Sequence, residues 1–85
     1  MTKKYDLPYK GDLGFTKLKL LFKELGKKID EYDIGKQYGF RQTQVASESG
    51  AKGKIVVTLA GRAAKTGLSK DQLSDLQLIV NKYVG

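Results

Sequence analysis

The chain contains no cysteine, no histidine and no tryptophan among its 85 residues. The absence of cysteine excludes disulfides and thiolate chemistry, and it fits a reducing compartment. Without histidine or cysteine, the common zinc sites and the Ser-His and Cys-His catalytic groups cannot be assembled. We therefore expect a protein that is not an enzyme and that has no metal site and no cofactor.

Long apolar segments are missing as well. No N-terminal stretch resembles a signal peptide, and no run of apolar residues approaches the roughly 20 that a membrane-spanning helix needs. We therefore expect a cytoplasmic protein that has neither a membrane partner nor a small-molecule substrate.

Positive charge is the property that the chain has in excess. It carries 16 Lys and Arg residues against 9 Asp and Glu residues, for a formal net charge of +7. The 40% of hydrophobic and 29% of charged residues are typical of a globular domain. So high a charge on so small a domain favours polyanionic partners, with nucleic acid ahead of an anionic membrane surface.

Two segments have the periodicity of amphipathic helices. The first covers residues 15–29, where Gly26 permits a break, and its apolar stripe is Phe15, Leu18, Phe22, Leu25 and Ile29. The second covers residues 70–84 and opens on Ser69 and Gln72, which fit a capping box. Its apolar stripe is Leu73, Leu76, Val80, Tyr83 and Val84.

The rest of the chain divides into an arm, a turn and a strand. Residues 1–14 carry the only proline, Pro8, and two glycines, which predict an irregular basic arm before a single domain at 15–85. The glycines and lysines of residues 50–54 predict a basic turn, and the β-branched run at 55–59 predicts a strand.

Residues 34–47 carry the main functional argument. Gly35, Gly39 and Val45 have the spacing of a small residue in a first helix, a turn glycine and an apolar anchor in a second helix. If the second helix exists, its exposed side chains can hydrogen-bond base edges in the major groove. These side chains are Arg41, Gln42, Thr43, Gln44 and Ser47.

This segment resembles the helix-turn-helix superfamily of DNA-binding proteins, and the order of turn, strand and closing helix after it is similar to winged-helix repressors. The resemblance implies a small winged-helix-like α+β domain that acts as a transcriptional regulator on double-stranded DNA, associated with the nucleoid. It places Lys52 and Lys54 in a basic wing that contacts phosphates together with Arg62, and Lys3 and Lys4 in an arm that reaches a neighbouring groove.

Helix-turn-helix proteins commonly act as dimers on two half-sites. Tyr83 and Val84, at the end of the last predicted helix, are therefore candidates for a homodimer interface. Burial of the same two residues within the monomer fits the pattern equally well.

Three alternatives stay open at this point. Ala63, Gly67 and Leu73 have a second helix-turn-helix spacing. Residues 40–48 also have period-2 character, and pairing with residues 54–59 would give an α-β-β-α domain whose basic hairpin binds DNA or RNA. Finally, a small basic protein can be an inhibitor or adaptor that binds an acidic protein partner.

Overall fold

The computed structural model describes residues 1–47 and 50–84, except for the side chains of residues 46, 47 and 51. Within them the chain forms, in order, β1 (Thr2–Lys10), α1 (Phe15–Glu31), β2 (Tyr38–Ser47), β3 (Gly50–Ala60), α2 (Gly61–Thr66) and α3 (Lys70–Tyr83). The strands make one antiparallel sheet in the order β1-β3-β2. The α+β class expected from the sequence is confirmed. None of the helices in this part of the chain is long and apolar enough to cross a membrane.

Strand alternation on β3 determines where the core lies. Ile55, Val57 and Leu59 have no exposed surface, whereas the residues between them are partly accessible to solvent. Residues directly opposite each other on paired strands point to the same side of the sheet. Leu7 of β1 pairs with Ile55 and therefore joins the same buried face. The helices pack on this face and complete the core with Leu21, Leu25, Ile29, Ala63, Ala64, Leu76 and Val80.

The first predicted helix is confirmed, and α1 runs through Gly26 without a break. A Cβ atom at Gly26 would lie 3.3 Å from the Tyr38 hydroxyl oxygen, so the glycine leaves room for β2 to approach the helix. The predicted stripe is displaced at its start: Phe15 is 73% exposed, and Leu21 is fully buried instead. The buried stripe is centred on Leu21, Leu25 and Ile29, at steps of four residues.

The capping box predicted for the last helix is confirmed. Ser69 Oγ accepts a hydrogen bond from the Gln72 backbone N–H at 3.2 Å, and Gln72 Oε1 accepts one from the Ser69 N–H at 2.9 Å. These two bonds satisfy N–H groups that the helix itself leaves without partners. They determine where α3 begins, and they need only residues within one turn.

The predicted irregular arm is wrong, because its residues form β1. This strand pairs with β3 from Thr2 opposite Ala60 to Lys10 opposite Lys52. Pro8 is tolerated because β1 is an edge strand, where a residue without an N–H need not interrupt the ladder. Tyr5, Leu7 and Tyr9 alternate toward the core and provide the burial that holds the strand in place.

The predicted recognition helix is also wrong, since residues 38–47 form β2. The strand pairs with β3 from Tyr38 opposite Leu59 to Ser47 opposite Gly50. Tyr38 and Phe40 reach the core at period 2, and a hydrogen-bonded partner strand overrides a weak helical spacing. The winged-helix assignment is not confirmed, and the β2–β3 hairpin is the alternative that the structure shows. The observed order is β-α-β-β-α-α rather than α-β-β-α.

One close contact ties the three strands together at the hairpin end of the sheet. Tyr9 of β1 crosses over Gly53 of β3, where an added Cβ would lie 2.7 Å from the tyrosine hydroxyl oxygen and would also collide with the Thr43 carbonyl oxygen of β2. A glycine in the interior of a strand often marks such a close approach.

We expect Gly53→Ala to lower the free energy of unfolding by about 1–3 kcal/mol, because the added methyl group overpacks this contact. Gly39→Ala is the matched control, since no heavy atom lies within 4 Å of its added Cβ. The control should change stability by less than about 0.5 kcal/mol. Urea denaturation of both variants measures the difference in the free energy of unfolding. Equal denaturation midpoints would show that the close contact at Gly53 does not exclude a methyl group.

The antiparallel helices α1 and α3 are joined by a polar contact near the end of α3. Glu24 Oε1 accepts hydrogen bonds from the Tyr83 hydroxyl at 2.7 Å and from Lys82 Nζ at 3.0 Å. The bond from Tyr83, followed by the bond from Lys82, lowers the pKa of the Glu24 carboxyl below its ordinary value. A lowered pKa in the folded protein stabilises it above the unfolded pKa of 4.5. That contribution is lost as the pH falls through the folded pKa.

Glu24→Gln should therefore reduce the loss of stability when the pH falls below about 4.5. Glu31→Gln removes a carboxylate from the same helix and serves as the control, because the exposed pair of Glu31 with Lys28 contributes little. Thermal denaturation between neutral and acidic pH measures how steeply the stability of each variant falls with pH. If the stability of Glu24→Gln falls as steeply as that of the parent, the contact does not stabilise the fold.

Candidate nucleic-acid interface

The side of the sheet opposite the helices is uncovered in the described part of the chain. We call it the open face and define it from the strand register. Its residues are Lys4, Asp6, Pro8 and Lys10 of β1, Gly39, Arg41, Thr43 and Val45 of β2, and Lys52, Lys54, Val56 and Thr58 of β3. Pairing brings them into cross-strand rows such as Asp6–Val56–Arg41 and Pro8–Lys54–Thr43.

The open face is strongly basic. It carries five basic residues and one acidic residue, so its net charge is five minus one, or +4. Lys54 Nζ lies 3.3 Å from Asp6 Oδ2, with both side chains about half exposed. The other four basic residues have no ion pair with any described residue; they are Lys4, Lys10, Arg41 and Lys52.

A shallow depression of about 560 Å³ crosses this face between the two outer strands. Lys4, Arg41 and Lys54 stand around it, and Val56 and Thr58 of the central strand form part of its floor. Gly39 contributes no side chain at the β2 side, and the space above it is empty of described atoms. Asp6 also lines the depression and pairs with Lys54, so an extended anionic ligand meets two cations without a described ion pair, Lys4 and Arg41, beside the paired Lys54.

Five of the residues predicted to contact DNA share the open face: Lys4, Arg41, Thr43, Lys52 and Lys54. The sequence prediction missed Lys10, which lies opposite Lys52. The signal for it was present, since Lys4, Asp6, Pro8 and Lys10 alternate with the apolar residues of β1.

Gln42 and Gln44 lie on the other side of the sheet, so strand alternation divides the residues that were predicted to read base edges. Gln42 Nε2 donates to the Tyr9 hydroxyl at 2.8 Å, and that hydroxyl donates to Gln44 Oε1 at 2.8 Å. Gln42 also donates to the Leu13 carbonyl oxygen, and Gln44 Nε2 donates to Asp12 Oδ1. These amides bind the segment after β1 to β2, and their role in the structure is to hold the sheet together.

The remaining predicted contacts lie away from the open face or outside the described side chains. Lys3 points to the helical side, where its Nζ approaches Gly67. Arg62 is in α2, and its guanidinium donates to the Asp33 carbonyl oxygen at 3.1 Å. Ser47 ends β2, but its side chain is outside the described part of the structure.

The second helix-turn-helix spacing does fall on two helices. Gly67 follows α2 with φ of +71°, a conformation that favours glycine, and α3 begins three residues later. The exposed residues of the first turns of α3 include Asp71 and Asp75 as well as Lys70. Two carboxylates there would oppose any polyanion, so the open face is the more favourable of the two surfaces for an anionic ligand.

The predicted dimer residues are used within the monomer. Tyr83 binds Glu24, and both Tyr83 and Val84 pack partly buried against the core. Their contacts account for the apolar pattern at the end of α3 without a second chain.

No family model matches this chain, and no curated protein or solved structure matches it either. The described residues also hold no group of three or more acidic, histidine or cysteine side chains that could bind a metal ion.

The two sides of β2 should respond differently to substitution. Gln42→Ala should lower the free energy of unfolding by about 1–2 kcal/mol, because it leaves the half-buried Tyr9 hydroxyl and Leu13 carbonyl without a donor. Arg41→Ala, one residue away on the open face, should change it by less than about 0.5 kcal/mol. Urea denaturation compares them, and similar losses for both would contradict the assignment of Gln42 to the structural side.

Proposed function

We propose that this protein binds duplex DNA through the sugar-phosphate backbone, with the open face of its sheet as the contact surface. The observation that carries the proposal is the uncovered sheet face with five basic residues and one acidic residue. Neutralising phosphates with Lys and Arg releases counterions, and this supplies most of the affinity of non-specific DNA binding.

The open face differs from the lysine-rich helix α1 in the balance of its charges. α1 carries five lysines and three carboxylates, for a net charge of +2, and Lys28 of this helix pairs with Glu31. The open face has a net charge of +4, and one of its five cations, Lys54, has an acidic partner among the described residues. Both surfaces have cations that are available to an external anion, but those of the open face are opposed by a single described carboxylate.

The side chains of the open face favour a backbone contact over base stacking. Single-stranded nucleic acids are bound on aromatic side chains, which stack on unpaired bases. The described residues of the open face include no aromatic side chain, since Tyr5, Tyr9, Tyr38 and Phe40 all point to the helical side. A duplex presents phosphates without needing a stacking partner, and Arg41 and Thr43 are the described polar groups of β2 that can reach base edges.

The width of the sheet also fits a duplex. Adjacent strands lie about 4.8 Å apart, so β1 and β2 are separated by roughly 10 Å across β3. The major groove of B-DNA is about 12 Å wide, and a phosphate strand borders it on either side. Lys4 and Lys10 on one outer strand and Arg41 on the other are therefore spaced to reach the two phosphate strands that border the groove.

The test removes charge from one side of the protein at a time. The triple variant Lys4→Gln, Arg41→Gln, Lys52→Gln should weaken binding of random-sequence duplex DNA at least about tenfold at low salt. It should also reduce the slope of log K against log salt by about 2–3. The matched triple variant Lys17→Gln, Lys19→Gln, Lys23→Gln removes the same charge from exposed positions of α1 and should change affinity far less.

Fluorescence anisotropy with labelled duplex, single-stranded DNA and duplex RNA measures these affinities over a salt series. Equal effects of the two triple variants would show that net charge alone causes binding, and the open face would lose its role. If the parent protein binds none of the three nucleic acids at low salt, the proposal fails. An acidic protein partner then becomes the better explanation of the basic surface.

A further inference from the structure

We propose that the free edge of β2 pairs antiparallel with β2 of a second copy of this chain. The resulting two-fold dimer has a continuous six-stranded sheet. This proposal concerns the edge of the sheet rather than its face, and it does not depend on nucleic-acid binding. It follows from a difference between the two edges of the sheet.

The β1 edge is protected against pairing. Pro8 in the second half of the strand lacks an N–H, and its carbonyl oxygen already accepts a hydrogen bond from Gln77 Nε2 of α3 at 2.7 Å. Charged side chains, above all lysines, and prolines are the devices by which natural edge strands avoid association. β1 carries both, with Lys3, Lys4, Asp6 and Lys10 along the same strand.

The β2 edge has far fewer of these devices in its described residues. It is ten residues long and contains no proline and no lysine, and its one charged residue is Arg41. Ala60 N–H donates to the Gln37 carbonyl oxygen, so the backbone groups of Gln37, and of every second residue after it in β2, point toward β3. Alternation then directs the backbone groups of Tyr38, Phe40, Gln42 and Gln44 away from β3. No described side chain donates to these carbonyl groups or accepts from these N–H groups.

A second copy fits this edge better than an unrelated peptide. In a two-fold antiparallel pair, each outward donor meets the acceptor of an identical strand, so the edge is complementary to itself. Thr43 and Val45, which is 52% exposed, are β-branched side chains that favour cross-strand pairing. The described part of β2 has no carboxylate or apolar run that would select a charged or hydrophobic peptide. If the two-fold axis lies at residue 42, 43 or 44, the pairing register also keeps the two Arg41 side chains from lying directly opposite each other.

The symmetry has a consequence for the surface. The two-fold axis of an antiparallel strand pair is perpendicular to the sheet, so both sets of helices lie on one side and both open faces on the other. The dimer therefore presents ten basic and two acidic described open-face residues on one continuous sheet, twice the five and one of a single chain.

The first test is sedimentation velocity over a concentration series, in high salt and without nucleic acid. The parent protein should shift from monomer to dimer as concentration rises. Thr43→Lys places a lysine opposite or diagonal to its twin across the two-fold axis in each of these registers, and it should raise the dimer dissociation constant roughly three- to thirtyfold. Thr58→Lys adds the same charge to the same face on the central strand and should dimerise like the parent. A parent that stays monomeric throughout, or equal effects of the two lysines, would overturn the proposal.

The second test uses the absence of native cysteine. Single-cysteine substitutions across positions 41–45 place one thiol near its twin at the two-fold axis, and oxidation should give a disulfide dimer for at least one of them. Asp6→Cys on β1 is the control and should cross-link much more slowly. Cross-linking of the β2 variants no faster than the control would contradict the edge pairing. A monomeric protein that binds duplex DNA would overturn this proposal alone and leave the proposed function in place.

Discussion

The fold depends on β3 being paired along both of its edges. Because β1 and β2 satisfy its backbone on either side, β3 can bury Ile55, Val57 and Leu59 completely beneath the helices. Each buried side chain of this size contributes roughly 1.5–3 kcal/mol through removal of apolar surface from water. The same alternation sends Lys52 and Lys54 to the opposite side, where no described element covers them. The alternation of side chains along β3 thus produces both the core on one side of the sheet and the basic surface on the other.

Local signals in the sequence were sufficient for α1 and α3, whereas the short helix α2 was not predicted. The α1 stripe repeats within a few residues, and the Ser69–Gln72 capping box satisfies backbone groups within a single turn. β2 could not be predicted in the same way, because its structure depends on a partner strand at another place in the chain. The glycine spacing at Gly35 and Gly39 fits a helix-turn-helix, but pairing with β3 is the stronger constraint.

The candidate site was partly predictable for a related reason. The predicted phosphate contacts at Lys52 and Lys54 did not depend on whether residues 38–47 are a helix or a strand. The predicted base contact of Arg41 did depend on a helix, although strand alternation also leaves Arg41 on the open face. Gln42 and Gln44 did depend on it, because a period of two places neighbouring residues on opposite sides. Lys10 was missed because Pro8 indicated an irregular arm, although proline is acceptable on an edge strand.

The four open-face cations without described ion pairs also bear on the stability of the protein. Like charges held on one sheet repel each other, and this repulsion disfavours the compact state. Added salt screens the repulsion over distances of about 10 Å and stabilises the free protein. Salt also reduces the counterion release that drives association with a polyanion, and so it weakens the complex. For a basic sheet face, added salt therefore acts in opposite directions on the stability of the fold and on the binding of any polyanion, because a polyanion would relieve the same repulsion that salt screens.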